Sequence, residues 1–203
     1  MDAFRTYLES PEYLSVHGWC TPEKALKIVD LVQSHSPKVC VELGVFGGKS
    51  LLPIAVASGK QATVIGVDAW AAPASLEGTN DKANDEWWAN IDYNHFFNYT
   101  RQLLDAHGCQ STQLWRDKSV NVSDKFVDKS INLLHQDSNH SEEVSCAEVE
   151  LYWNKVSPAG IWIFDDTNWP TTQKAQALLE SKGYVCQYDS GSWKIYQRVH
   201  SSQ

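Results

Sequence analysis

The sequence predicts an α/β protein, a doubly wound sheet that is mostly parallel and is completed by an antiparallel C-terminal hairpin strand. Three observations carry that expectation. Short β-branched or wholly apolar runs alternate with helically spaced ones along most of the chain. The first such run, KVCVEL, breaks into the glycine-rich loop GVFGGKS and then into a helical pattern. The last two runs, YVCQYDS and WKIYQRV, flank Gly191 with no helix between them, which reads as a hairpin.

Length and composition bound the rest. With 203 residues, 42% of them apolar, the chain is expected to form a single domain over 1–203. Residues 1–37 would be an N-terminal cap segment and helix, and 71–98 a lid-like insertion. No apolar run reaches the roughly 18 residues of a membrane span, and the start MDAFRTYLESPEYL lacks the basic and apolar regions of a signal peptide. A cytoplasmic protein without membrane association is expected. Five cysteines at 20, 40, 109, 146 and 186, with no CxxC pair, suggest free thiols rather than a disulfide framework or a zinc site. Seventeen basic against twenty-five acidic residues give a net charge of −8, which argues against a nucleic-acid partner. Self-association as a homo-oligomer is left open. Nine Trp and eight Tyr serve equally as core filler and as walls of a small-molecule site.

In chain order, residues 1–20 read as aromatic and irregular. Thr21, Pro22 and Glu23 supply an N-cap, a first-turn proline and an early acid for a helix to about Ser34, with Ala25, Leu26, Val29 and Val32 on its apolar side. Val39, Val41 and Leu43 make the first strand, and Gly44, Gly47 and Gly48 let a ligand approach bare backbone at a helix N-terminus. Pro53 leaves the boundary of that helix open. TVIGVDAW is a buried parallel strand ending in Asp68. Residues 71–98 are polar, turn-rich and aromatic, read as a long irregular connection that is either a lid or a surface excursion with Trp87 and Trp88 packed back on the body. A helix from Tyr93 to His107 stops at Gly108, and STQLWR and INLLHQD are the next strands. Ser141 caps a helix that ends before Ser157-Pro158-Ala159-Gly160, IWIFDD is a fully apolar strand, and Ala175 to Leu179 mark a last helix.

In such a Rossmann-like sheet, ligands bind beyond the C-terminal strand ends near the point where strand order reverses. Those ends carry Glu42 with the glycine loop, Asp68, Ser119, Asp137, and Asp165 with Asp166. An acid 24 residues beyond the first loop glycine suits the two hydroxyls of a ribose, so Asp68 points to a nicotinamide dinucleotide or to S-adenosylmethionine. The loop lacks G-x-G-x-x-G spacing, which counts against the dinucleotide. Asp137, Asp165 and Asp166 on neighbouring strand ends repel one another and call for a cation, and hard oxygen donors suit Mg²⁺, Mn²⁺ or Ca²⁺ rather than zinc.

Taken together, VELGVFGGKS, VIGVDAW, HQDSNHSEE and GIWIFDD resemble the class I S-adenosylmethionine-dependent methyltransferases. The closest resemblance is to the metal-dependent O-methyltransferases of the catechol, caffeoyl-CoA and antibiotic-sugar types, over roughly 38–198. The resemblance implies that Gly44, Phe46 and Ser50 hold the methionine part of the cofactor and that Glu42 supports their loop. It implies that Asp68 holds the ribose, and that Trp70 and Ser119 flank the adenine. Asp137, Asp165 and Asp166 match the family's metal ligands, most simply for Mg²⁺, and His140 matches its general base. Two positions depart from the pattern. Ser138 stands where the family has glycine, and Lys49 falls at a variable loop position.

The activity so implied is methyl transfer to a hydroxyl oxygen of a small molecule, with the metal acidifying and aligning that hydroxyl and His140 taking its proton. Two other readings share the same residues. One is a metal-dependent oxygenation like that of cephalosporin hydroxylases, and the other is a non-catalytic cofactor-binding or scaffold domain.

Overall fold

The computed structural model describes residues 1–79 and 81–198. Asn80 of the insertion, Val199 of the expected last strand and 200–203 of the expected domain lie outside them.

The N-terminal residues, read as irregular, form two short helices, α1 (Asp2–Leu8) and α2 (Pro11–Leu14). Ser10 accepts a hydrogen bond from the Tyr13 amide and Pro11 sits in the first turn, while Leu8 and Tyr13 are fully buried. Helices this short carry too few periodic positions to stand out in sequence. The longer α3 (Pro22–His35) begins as expected, with Thr21 Oγ1 accepting from the Lys24 amide, and leads into β1 (Val39–Leu43). In α4 (Leu51–Ser58), Pro53 is the third helical residue, where an amide has no intrahelical partner, so the proline costs no hydrogen bond.

After β2 (Thr63–Asp68), the insertion is more helical than its composition suggests, with α5 (Ala72–Ser75) and α6 (Lys82–Ala89). Asp81 caps α6 by accepting from the Ala83 and Asn84 amides, and Asp92 caps α7 (Tyr93–Ala106) by accepting from His95. Next come β3 (Gln113–Arg116), β4 (Ile131–Gln136) and α8 (Glu142–Tyr152), capped by Ser141. The strand β5 (Val156–Phe164) starts earlier than expected, because a register shift against β4 between Ile131 and Leu133 absorbs Ser157 to Gly160. The chain closes with α9 (Gln173–Ser181), β6 (Tyr184–Asp189) and β7 (Lys194–Arg198).

Among the described residues these strands form one sheet of order β3-β2-β1-β4-β5-β7-β6, parallel except where β7 runs against both β5 and β6. Strand order reverses between β1 and β4, as the doubly wound expectation requires. The period of two sorts the core onto two faces. Cys40, Leu133, Ile161 and Ile163 pack with Ile28, Val29, Leu51, Leu52 and Leu104 of α3, α4 and α7. Val41, Leu43, Leu134, Trp162 and Phe164 pack with Val149, Tyr152, Ala175 and Leu179 of α8 and α9. Continuing the alternation past Cys40, Leu133 and Ile163 places Glu42, His135 and Asp165 on the α3 face at the strand ends. Among the described residues, no helix is long and apolar enough to cross a membrane.

Candidate active site

The strand ends open into one cavity of about 580 Å³, lined from β1 and β2 by Gly44, Phe46, Ser50 and Asp68, and from β4 and β5 by Asp137, His140, Asp165 and Asp166. Its first half is the glycine loop. Gly44 has φ +84°, and a β-carbon there would lie 1.9 Å from the Asp137 carbonyl oxygen, so only glycine lets the loop lie against the end of β4. Asp68 Oδ2 accepts from the Val45 and Phe46 amides at 2.9 Å each, and its Oδ1 accepts from the Trp70 amide at 2.6 Å. Burial pushes the Asp68 carboxyl up, against the opposing pull of those amides and of Arg116. Asp68 therefore shapes the loop as well as facing the cavity. Ser50 is the residue before α4, lines the cavity, and makes no capping bond of its own.

Two expected residues take other positions. Trp70 is buried and does not line the cavity; its indole donates to the Phe46 carbonyl at 2.9 Å and its ring packs edge-on against Phe97. It props the loop from behind, because its φ of +40° turns the side chain away from the opening. Ala69 and Ser119 line the wall where an adenine is expected. Glu42 lies beneath the cavity and accepts from His135 Nδ1 at 2.6 Å, so it orients that imidazole rather than the loop, and among the described residues its Oε2 has no hydrogen-bond partner.

The second half gathers the charged groups. Glu42 and His135 are register partners on β1 and β4, which explains their contact. With Nδ1 donating to Glu42, His135 Nε2 is left as an acceptor, and the Lys24 ammonium donates to it at 3.1 Å and also to Asp165 Oδ2. Lys24 enters from the first turn of α3, with its side chain only 3% exposed. Ligand atoms of His135, Asp137 and Asp165 lie within 4.8 Å of one another. Burial acts to raise the Asp165 carboxyl, but the Lys24 ammonium beside it outweighs burial and holds Asp165 well below the usual range. Burial and the neighbouring Asp165 push Asp137 well above it.

Asp166, with φ +51°, turns its carboxylate away from that group and onto His140, Oδ2 to Nε2 at 2.8 Å. Trp169 meets the same imidazole edge-on at 4.8 Å. Among the described residues His140 Nδ1 has no hydrogen-bond partner, and His140 lines the cavity. Ser138, where the resemblance has glycine, donates to Glu148 Oε1 at 2.5 Å, and Gln136 Nε2 donates to Oε2 at 2.9 Å. The departure thus gives the turn a buried anchor. Lys49 is nearly buried, donates to the Leu14 carbonyl at 3.1 Å and ties α2 to the glycine loop.

An aromatic roof spans the opening. Trp19 stacks on Phe46 with ring centroids 5.5 Å apart and meets Trp87 at 5.2 Å, while Trp88 of α6 lines the cavity. The insertion thus contributes a wall to the site. Sequence reasoning missed Lys24, His135 and Trp19. The only signals were a lysine in a helix first turn, where the dipole disfavours it, and a histidine inside an apolar strand.

Residues 41–167 match the profile of the methyltransferase domain family. No curated protein is similar enough to count as a match. Among solved structures, a protein from Corynebacterium glutamicum superposes with a TM-score of 0.67 at 11% identity, covering 100% of this chain and 93% of its own. A methyltransferase from Geobacter sulfurreducens gives 0.62 at 12% identity, covering 97% and 88%. The Podospora anserina methyltransferase PaMTH1, solved with S-adenosylhomocysteine bound, gives 0.61 at 10% identity, covering 98% and 87%. At these identities the likeness is one of fold.

Proposed function

Because the chain belongs to the methyltransferase domain family and has the class I methyltransferase fold, we infer that it transfers a methyl group from S-adenosylmethionine to a hydroxyl oxygen of a small molecule. The observation that carries this reading is the division of one cavity. A glycine loop and Asp68 stand at one end, and at the other the His140–Asp166 pair has an unpartnered imidazole nitrogen. The residues present fit the cofactor: bare backbone at Gly44 lines the cavity, Ser50 lines it and makes no capping bond among the described residues, and the cavity has the size of a small-molecule site.

S-adenosylmethionine supplies an activated methyl on a sulfonium. The chain's own residues bind, orient and deprotonate. The glycine loop and Ser50 would lie against the methionine part, Asp68 against the ribose, and Ala69 and Ser119 against the adenine edge. Asp166 Oδ2 pairs with His140 at Nε2, 2.8 Å away, which leaves Nδ1 to take the acceptor's proton as its oxygen attacks the methyl in line. Proximity would supply much of the acceleration.

The metal-assisted form of this reading calls for Mg²⁺ on Asp137, Asp165 and Asp166. Oxygen donors of that kind suit a hard divalent ion. The Lys24 ammonium, however, already bonds Asp165 Oδ2 and His135 Nε2, and Asp166 is committed to His140. Arranged so, the residues do not fit a divalent ion.

The test is calorimetric titration with S-adenosylhomocysteine, followed by a labelled-methyl screen of vicinal diols, catechols and glycosides with mass analysis of the product. Binding together with a gain of one methyl on oxygen is expected. Tight NAD binding with no response to S-adenosylhomocysteine, or a product gaining oxygen instead of methyl, would overturn the reading.

A further inference from the structure

We propose that Lys24 is the resident cation of the carboxylate cluster, and that its ammonium holds and polarises the acceptor hydroxyl where related sites would use a divalent metal. The catalytic part of this proposal rests on the methyl transfer inferred above; the occupancy part does not.

Three observations converge on Lys24. The first is its placement against local preference. It lies in the first turn of α3, at the positive end of the helix dipole, and it is buried, two penalties that an ordinary lysine avoids by reaching into solvent. The second is the company it keeps. Nζ donates to Asp165 Oδ2 and to His135 Nε2, which are two of the three groups whose donor atoms cluster closely enough to hold a metal. An ammonium and a divalent ion cannot both take those atoms. The supporting arrangement fixes the sense of each bond, since Glu42 accepts from His135 Nδ1 and so presents Nε2 as an acceptor. Trp193 adds its ring face 5.8 Å from Nζ.

The third observation is direction. An ammonium has three donors, and these two bonds use two of them. Lys24 also lines the cavity, as do His140 and Asp165. The remaining N–H is therefore available to an acceptor oxygen in the cavity that His140 also lines.

In the reaction the acceptor hydroxyl gives its proton to His140 Nδ1 while accepting a hydrogen bond from Lys24 Nζ. An oxygen lone pair forms the new bond to the methyl carbon, the sulfur–carbon bond breaks, and its electron pair stays on sulfur as a neutral thioether. Lys24 remains an ammonium throughout. It stabilises charge developing on the oxygen, the task for which positioned cations are effective in a dry site.

The experiment titrates full-length protein with Mn²⁺ and reads bound ion by electron paramagnetic resonance, in wild type, Lys24→Ala and Lys24→Arg. Wild type and Lys24→Arg should bind no Mn²⁺ at the cluster. Lys24→Ala, with the carboxylates uncovered, should gain affinity by at least about tenfold. Methyl transfer by wild type should be unchanged in excess EDTA. Lys24→Ala should lose roughly 10²- to 10³-fold in kcat, partly restored by Mn²⁺. Stoichiometric Mn²⁺ binding by wild type, or activity lost to EDTA and returned by Mg²⁺, would overturn the proposal. Should Lys24→Ala fail to fold, the wild-type titration decides it. Should no acceptor be methylated, the methyl-transfer reading fails while the resonance measurement still decides which cation the cluster holds.

Discussion

Asp166 Oδ2 stands 2.8 Å from His140 Nε2, and this contact leaves Nδ1 as the imidazole nitrogen without a hydrogen-bond partner among the described residues. Without it the ring could turn either nitrogen inward. His140→Ala should lower kcat by roughly 10²- to 10⁴-fold while S-adenosylhomocysteine affinity, read by calorimetry, stays within a few-fold of wild type. Turnover near the wild-type rate across pH 6 to 9 would make His140 structural.

Asp166→Asn tests the orienting partner separately. An amide can still touch the ring but carries no charge to favour the protonated imidazole formed during transfer. A fall in kcat of about tenfold or more with unchanged KM is expected in steady-state assays. A rise in KM alone would assign Asp166 to acceptor binding.

Asp68→Ala removes the acceptor of two glycine-loop amides and of the Trp70 amide, together with the expected ribose contact. S-adenosylhomocysteine binding should weaken by about 1.5 to 3 kcal/mol in calorimetric titration. Unchanged affinity would show that the loop holds its shape alone and that the ribose lies elsewhere.

Gly44→Ala should be far more damaging than its size suggests. The new methyl would collide with the Asp137 carbonyl, and φ +84° is unfavourable for alanine. A loss of at least about 3 kcal/mol is expected, which for a chain of this length lowers Tm by roughly 6 to 12 °C. A melting curve superposable on wild type would mean that β1 and β4 can separate freely.

Burial pushes the Glu148 carboxyl from 4.5 up to about 7, against the opposing hydrogen bonds from Ser119, Ser138 and Gln136. The folded chain keeps this proton where the unfolded chain releases it. The contribution to stability is therefore full below about pH 4.5 and lost as pH rises through about 7. Glu148→Gln should remove that loss and raise Tm at pH 8 relative to pH 5, an effect on the order of 2 to 3 kcal/mol. Chemical denaturation of both proteins at the two pH values measures it, and parallel pH dependences would refute it.

The strands, the glycine loop and the strand-end acids were legible because each follows from a short local rule: alternation, a positive φ, a carboxylate where an apolar run stops. The role of Asp166 was not legible, since its direction depends on a backbone turn at φ +51° that the letters DDTN do not reveal. Lys24 was hidden for a different reason. It meets Asp165 across 141 positions of sequence, and only the packing of α3 on the sheet brings the two together. An ammonium beside Asp165 is therefore supplied from within the chain, by a residue that no local pattern of letters links to the strand-end acids.

Lys24 precedes the span 41–167 that the chain shares with its family. The acids and their countercharge thus sit on two pieces of polypeptide that meet only when α3 docks. Dependence on a free ion becomes a property that could be transplanted: a recipient core carrying the same acids would gain or lose it with a donor's first forty residues or so.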